Sequence, residues 1–393
     1  MRIAFIGLGS MGMPIAERLA RTDGLELSLY DVVPARLAEA RALGRTAASV
    51  ADATEGTDAV FTVLPADPHV RAVADEVAAA GRPGRLFADF STIAPATIDA
   101  VAEQLRAAGM PTLGVTITRG TAAARAGELA LFVGGDDHLP PELTAPFRAM
   151  AADVRMVGTA GAAKAIKLAN NTVLSCIDVA ICEALVIGQR LGISADAISS
   201  HLLKAGGDSW ALRNHIIKHV LPGDLGPGHF STRHMAKDVR LFTELAAAEG
   251  TPALLAGAAL ACYRGTIAHG FGDDYHPVVI RWLERGAASE ALGEPNGDAG
   301  QHIVTLGAGV VAVQALASLE ALAALRARGI APSAAADHLA GGSAGNDSLS
   351  AATARLDGGA ELPVREDLAR ATALATAVDV PALMFEVGRH AAP

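Results

Sequence analysis

The chain has little of what staples, stacks or binds polyanions. Its 393 residues include three cysteines, Cys176, Cys182 and Cys262, none in a CxxC pair and all inside apolar helical patterns. That excludes a disulfide framework and a cysteine-based metal finger and fits buried, reduced thiols. Aromatic residues make up only 4%, so the core must be built from Ala, Leu, Val and Ile. Basic runs are absent and the formal charge is −10, which argues against nucleic acid or an anionic membrane surface as a partner. Unbroken apolar runs are lacking as well. The longest such stretch, 307–325, is interrupted by Gln314, Ser318 and Glu320 and reads as a buried helix, not a membrane span. The first apolar strand begins at residue 2, which leaves no room for a signal peptide, so a cytoplasmic location is expected. No metal site is expected.

The N-terminal residues carry a phosphate-binding pattern. An apolar run, Arg2 to Ile6, leads into Gly7-Leu8-Gly9-Ser10-Met11-Gly12, a helical stretch, a second apolar run at 26–30, and Asp31. Gly7 permits the tight turn, Gly9 lets the backbone approach a pyrophosphate, and Gly12 allows close helix–strand packing. The helix N-terminus that follows supplies free N–H groups and positive potential. Asp31 stands 19 residues past Gly12, where a carboxylate accepts from ribose hydroxyls. A ribose 2′-phosphate would need a cation, and none follows Asp31 before Arg36. NAD is therefore expected in preference to NADP.

Residues 1 to about 157 alternate short apolar runs with Ala-rich helical segments, with strands expected at 2–6, 26–30, 59–63, 86–90, 112–117 and 129–133. This predicts a doubly wound parallel α/β sheet with helices on both faces, a Rossmann-type domain over 1–161. From Ala162 the pattern becomes all-helical, with one long helix over about 162–191 ending at Gly192 and a helical domain to 292. Residues 293–298 read as a linker. The remainder, 298–393, repeats what precedes it. At an offset of 137, residues 173–193 match 310–330 at seven positions, including Glu183-Ala184-Leu185 with Glu320-Ala321-Leu322 and Gly192 with Gly329. At an offset of 129, residues 237–254 match 366–383 at eight, including Asp238 with Asp367 and Pro252 with Pro381. A tandem, degenerate second copy of the helical domain is expected.

Lys167, Asn170 and Asn171 share one face of the long helix by their i, i+3, i+4 spacing. A lysine in a cleft is desolvated, and an oxidised nicotinamide disfavours its charge further. Both effects favour the neutral amine that proton exchange with a hydroxyl requires. At the same offsets the second copy has Val304, Gly307 and Ala308 in these places, and Glu366 for Lys237. It keeps packing residues and loses polar ones, so only the first copy is expected to face the cofactor.

Four ordered motifs, Gly7-Leu8-Gly9-Ser10-Met11-Gly12, Asp89-Phe90-Ser91-Thr92-Ile93-Ala94-Pro95, Lys167-Leu168-Ala169-Asn170-Asn171, and Lys237-Asp238 preceded by Phe230, resemble the signatures of β-hydroxyacid dehydrogenases of the 3-hydroxyisobutyrate dehydrogenase type. The resemblance covers about residues 1–290. It implies a site between a nicotinamide domain and a helical domain, with Lys167 as catalytic acid/base and Asn171 orienting the substrate. It places Ser91, Thr92 and Asn170 near the substrate, with Leu64, Pro65, Thr92, Phe230 and Lys237 bordering the cofactor. The family's Ser-Gly-Gly substrate loop corresponds to Thr118, Arg119 and Gly120, and Arg119 is a cation suited to clamping a carboxylate. The expected substrate is thus a small, anionic 3-hydroxy acid. The doubled helical region resembles 6-phosphogluconate dehydrogenase, but Asn170-Asn171-Thr172-Val173-Leu174 stands where that enzyme type has a His-Asn-Gly-Ile-Glu pattern, so direct 6-phosphogluconate activity is not expected. The alternatives are an imine reductase, against which Lys167 argues, and a non-catalytic NAD(H) sensor or scaffold. Either a monomer with an internal pseudo-dimer or a homodimer fits the duplication.

Overall fold

The computed structural model describes residues 1–135, 139–287, 299–358, 362 and 364–392; the expected linker at 293–298 lies outside them. The chain divides into two compact units, Met1–Lys167 and Leu168–Pro393. The division falls inside the helix Ala160–Arg190, six residues beyond the expected boundary.

The first unit is an eight-stranded sheet: β1 (Arg2–Ile6), β2 (Glu26–Tyr30), β3 (Arg45–Thr46), β4 (Ala59–Thr62), β5 (Leu86–Asp89), β6 (Thr112–Thr118), β7 (Leu129–Gly134) and β8 (Ala151–Met156), in the order β3-β2-β1-β4-β5-β6-β7-β8. The order reverses next to β1, as in dinucleotide-binding sheets. Both faces are covered. Ile3 and Phe5 of β1 pack with Ile15, Leu19, Phe61 and Phe147 on one side, while Ala4 and Ile6 pack with Val50, Val70, Phe87 and Ile98 on the other, as side-chain alternation along a strand requires.

The expectation of a parallel sheet needs one correction. β6 and β7 run antiparallel, with Thr118 opposite Ala130, because only the short helix Gly120–Ala126 separates them and no full crossover unit fits. The other pairings are parallel. Two strands were not expected. β3 has two residues, and β8 is a largely half-exposed edge without an apolar run.

The second unit is helical, and its described residues contain no strand beyond two isolated bridges. Its two longest helices, Ala160–Arg190 and Ala299–Ala327, are long and apolar enough to span a membrane, but their most apolar windows are 100% and 78% buried within the protein. Helices begin at Ala195, Leu212 and Leu254, and later in the unit at Pro332, Leu349 and Leu383. Gly192, Gly250, Gly329 and Asp379 are all left-handed.

Several hydrogen bonds in this unit tie its earlier helices to its later ones. Glu183 accepts from the N–H groups of Met384 and Phe385 at 2.9 and 3.4 Å. Glu320 accepts from Leu255 and Ala256 at 3.0 and 3.3 Å. Trp210 N–H donates to Gly345 O at 2.8 Å, and Asp347 N–H to Asp208 O at 3.2 Å, on either side of an antiparallel bridge between Ser209 and Asn346.

Candidate active site

The glycine loop lies at the C-terminal end of β1. Gly7 has φ +97°, and a Cβ there would sit 2.2 Å from Val63 O; one at Gly12 would sit 2.0 Å from Gly7 O. At Gly9 a Cβ would meet nothing within 4 Å. The fold therefore requires Gly7 and Gly12, whereas the demand at Gly9 comes from something outside the fold, such as a closely apposed pyrophosphate. Ser10 is exposed, Met11 is half-buried, and the helix Gly12–Leu19 starts here, so this end can hold a dinucleotide phosphate. The Leu8 N–H is already engaged by Asp31 Oδ2 at 2.7 Å. Asp31 is buried, accepts from the Val33 N–H at 2.8 Å, and has the Arg36 guanidinium at 3.5 Å. The cation that the sequence spaces five residues away thus folds back onto the acid.

The ends of β4 and β5 carry a polar knot. Asp89, fully buried, accepts on Oδ1 from Thr62 Oγ1 at 2.7 Å and Ser91 Oγ at 2.6 Å. Ser91 Oγ accepts in turn from the Leu64 N–H at 2.8 Å. Lys164 completes it, although nothing in the motif pattern pointed to it. Its ammonium, 1% exposed, pairs with Asp89 Oδ2 at 2.9 Å. It donates to the carbonyls of Asp89, Ser91 and Val115 at 2.7, 2.7 and 2.8 Å. A buried charge is tolerable only when paired and fully hydrogen-bonded, and this one is. The effect is to fasten the start of the Ala160–Arg190 helix to the C-terminal end of β5 and the middle of β6. Lys167, half-buried, follows one turn later as the last residue of the first unit. In the sequence Lys164 is a charge among apolar residues, three before Lys167.

Thr92 is half-buried beside Ser91, while Pro65 is exposed and Leu64 half-buried. Thr118 Oγ1 donates to Ala130 O at 3.1 Å, within its own sheet. Arg119 has φ +78°, a conformation natural to the glycine that the family pattern has there. Its exposed guanidinium donates to Glu128 O at 3.1 Å.

In the second unit, Asn171 and Asn170 are both buried. Asn171 Nδ2 donates to Asp238 Oδ2 at 2.6 Å, and Lys237 pairs with Asp238 Oδ1 at 3.1 Å. Asn170 Nδ2 donates to Asn171 Oδ1 at 3.1 Å and to Ser343 Oγ at 2.7 Å, while its Oδ1 accepts from the Ala344 N–H at 3.0 Å. The Asn170 amide is thus held by the 342–344 turn, and it orients Asn171. Phe230 is 41% exposed. The structure gathers Lys237, Asn170 and Asn171 in one network. It gathers the glycine loop, Asp31, Leu64, Ser91 and the start of the long helix at one end of the sheet. Asp238 and Ser343 were not singled out as site residues; Asp238 was legible beside Lys237, but Ser343 had no local signal.

The sequence matches two family models: the NAD binding domain of 6-phosphogluconate dehydrogenase over residues 2–158 and the NAD-binding domain of NADP-dependent 3-hydroxyisobutyrate dehydrogenase over 161–283. The chain is 32% identical to the NAD-dependent L-serine dehydrogenase of Pseudomonas aeruginosa over 292 residues, which are 72% of this chain and 98% of that protein. It is similar in structure to Mycobacterium tuberculosis 3-hydroxyisobutyrate dehydrogenase, solved with L-serine, at 33% identity and a TM-score of 0.68, covering 72% of this chain and 98% of that one. Plasmodium falciparum 6-phosphogluconate dehydrogenase aligns with 99% of this chain and 91% of its own at a TM-score of 0.72 and 14% identity, a likeness of fold. On these matches, together with the glycine loop and the lysine helix, the chain belongs to the β-hydroxyacid dehydrogenase family, oxidoreductases that act on CH–OH donors with a nicotinamide cofactor.

Proposed function

We propose that this protein is an NAD-linked dehydrogenase of a small 3-hydroxy acid, with Lys167 as the acid/base. The glycine loop and Asp31 would hold the cofactor, whose nicotinamide would supply a hydride acceptor for the carbinol carbon. Lys167 accepts the hydroxyl proton during oxidation and returns it during reduction. Asn171 hydrogen-bonds the substrate with its remaining Nδ2–H, its amide being fixed by Asn170 and Asp238. The observation that carries this reading is the Lys164 anchor, which fastens the lysine-bearing helix to the strand ends beside Ser91, where α/β sheets bind their ligands. NAD is favoured because Asp31 is a carboxylate at the end of β2, where ribose hydroxyls bind. Arg36 beside it makes some use of NADP compatible with the same pocket.

The substrate class is tested by following NADH formation with a panel of 3-hydroxy acids, including L-serine and 3-hydroxyisobutyrate, against cyclic amines. Turnover confined to hydroxy acids supports the proposal. Turnover of the amines alone favours imine chemistry, and tight NADH binding without any turnover favours a sensor.

We infer further that 299–392 is a second copy of the helical domain, related to the first by a pseudo-twofold axis near Ser209 and Asn346. Those two residues are equivalents at the offset of 137 and face each other across the bridge. The Trp210–Gly345 bond has its counterpart in Asp347–Asp208. Glu183 caps the helix at Met384 while its equivalent Glu320 caps the helix at Leu255. Exchange of equivalent contacts is the mark of an isologous interface, here formed within one chain.

A further inference from the structure

We propose that His219, Asp224 and His229 form a surface site for a divalent transition-metal ion, best matched by Zn2+. None of the three residues is one the family resemblance assigns a role, although His229 directly precedes Phe230. His219 is the penultimate residue of the π-helical stretch Leu212–Val220, and the other two lie in the following Gly/Pro-rich loop. His219 Nδ1 stands 3.0 Å from Asp224 Oδ2 and His229 Nε2 stands 4.0 Å from the same oxygen. All three ligand atoms lie within 4.8 Å of one another. Ligands about 2.0–2.2 Å from a tetrahedral Zn2+ are about 3.3 Å apart, so small side-chain rotations close the triad on an ion. Two imidazoles and one carboxylate are a borderline donor set that suits Zn2+ over Mg2+ or Ca2+.

The triad is preorganised. The His229 ring stacks on Tyr275 at 4.7 Å and 28°, and the His219 ring meets the same tyrosine edge-on at 5.2 Å. The loop backbone is pinned as well, through Asp224 N–H to His219 O at 2.9 Å and Tyr275 N–H to Leu225 O at 3.1 Å. The site is also open: the side chains of His219, Asp224 and His229 are 21%, 63% and 43% exposed, which leaves room for an entering ion and its remaining waters. A second His/Asp group, Asp178 with His215 and His276, lies deeper. There both oxygens of the fully buried carboxylate contact His215 Nδ1, at 3.0 and 2.8 Å, so hydrogen bonding alone satisfies it. Desolvation and the neighbouring His215 lower the His276 pKa well below the usual range. An ion held by the outer triad would tie the end of the 212–220 helix to the loop bearing Phe230, the residue after His229.

The test is a calorimetric titration of the tag-free full chain with Zn2+ in a non-chelating buffer. One ion per chain is expected. His219→Ala and His229→Gln should each weaken binding by about tenfold or more, at least as much as loss of an outer partner costs a metal site. His269→Ala, at an exposed histidine elsewhere, should leave it unchanged. Circular dichroism identical to wild type shows that the variants fold, and His229→Gln replaces a part-exposed loop side chain that stacks on Tyr275. Absence of saturable binding, or undiminished binding in both triad variants, overturns the proposal; binding lost instead in His215→Asn would assign the ion to the buried group and also overturns it.

Discussion

At the scale of single residues, the glycine loop separates what the fold needs from what a ligand needs. Gly12→Ala drives a Cβ to 2.0 Å from Gly7 O, so it should lower the melting temperature. Gly9→Ala meets no atom of the protein, so it should leave melting unchanged and weaken NADH binding measured by fluorescence titration. Equal melting losses in the two variants would contradict this division. Lys164→Met should destabilise the protein by about 3–5 kcal/mol in denaturant titrations, since it leaves the Asp89 carboxylate buried without its cation. A variant as stable as wild type would show that Thr62 and Ser91 suffice. The glycines and Asp31 were legible because each answers a local geometric demand stated in a few consecutive residues. Lys164 was not singled out because its partners, Asp89, Ser91 and Val115, arrive from strands 49–75 residues away.

At the scale of elements, six of the eight strands were legible as buried apolar runs, and the long helix as an apolar segment ending at a left-handed Gly192. The two-residue β3 and the half-exposed β8 carry no such run, and strand direction at β7 is set by connection length, which apolar patterning does not encode. The contribution of the 342–344 turn was equally hidden, since it reaches Asn170 across 173 residues. Gly342→Ala places a Cβ 2.4 Å from Asn170 Oδ1 and should shift the amide that orients Asn171. We expect kcat to fall by up to about 10²-fold, with NADH affinity retained; an unchanged kcat would separate the turn from catalysis.

The exchanged caps make a pH prediction. Burial pushes Glu183 up to about 8 and Glu320 to about 7, against the opposing pull of the N–H groups they accept from. Both folded values lie above the ordinary glutamate value of about 4.3. Their stabilising contribution is therefore complete below that value and is lost as pH rises through 7 to 8. Melting temperature should fall between pH 6 and 9, and Glu183→Gln with Glu320→Gln should flatten the fall. An unaltered slope would contradict it.

At the scale of the whole molecule, the relatives above 30% identity account for about 72% of the chain, and on the duplication proposed above the remaining helices would complete a pseudo-symmetric pair. On that proposal, contacts that a C2 dimer would exchange between subunits are exchanged between residues of one chain, and the face they bury would not be open to a second copy. Sedimentation velocity should accordingly show a single species near 39.9 kDa; a stable dimer would point to a different interface. The hydroxyacid chemistry depends finally on Lys167. The most direct measurement is the steady-state kcat of Lys167→Met on the best hydroxy acid, alongside its affinity for NADH. We predict a fall of about 10²–10⁴-fold, the usual contribution of a positioned acid/base, with NADH binding and melting temperature close to wild type; turnover near the wild-type rate would contradict the assignment.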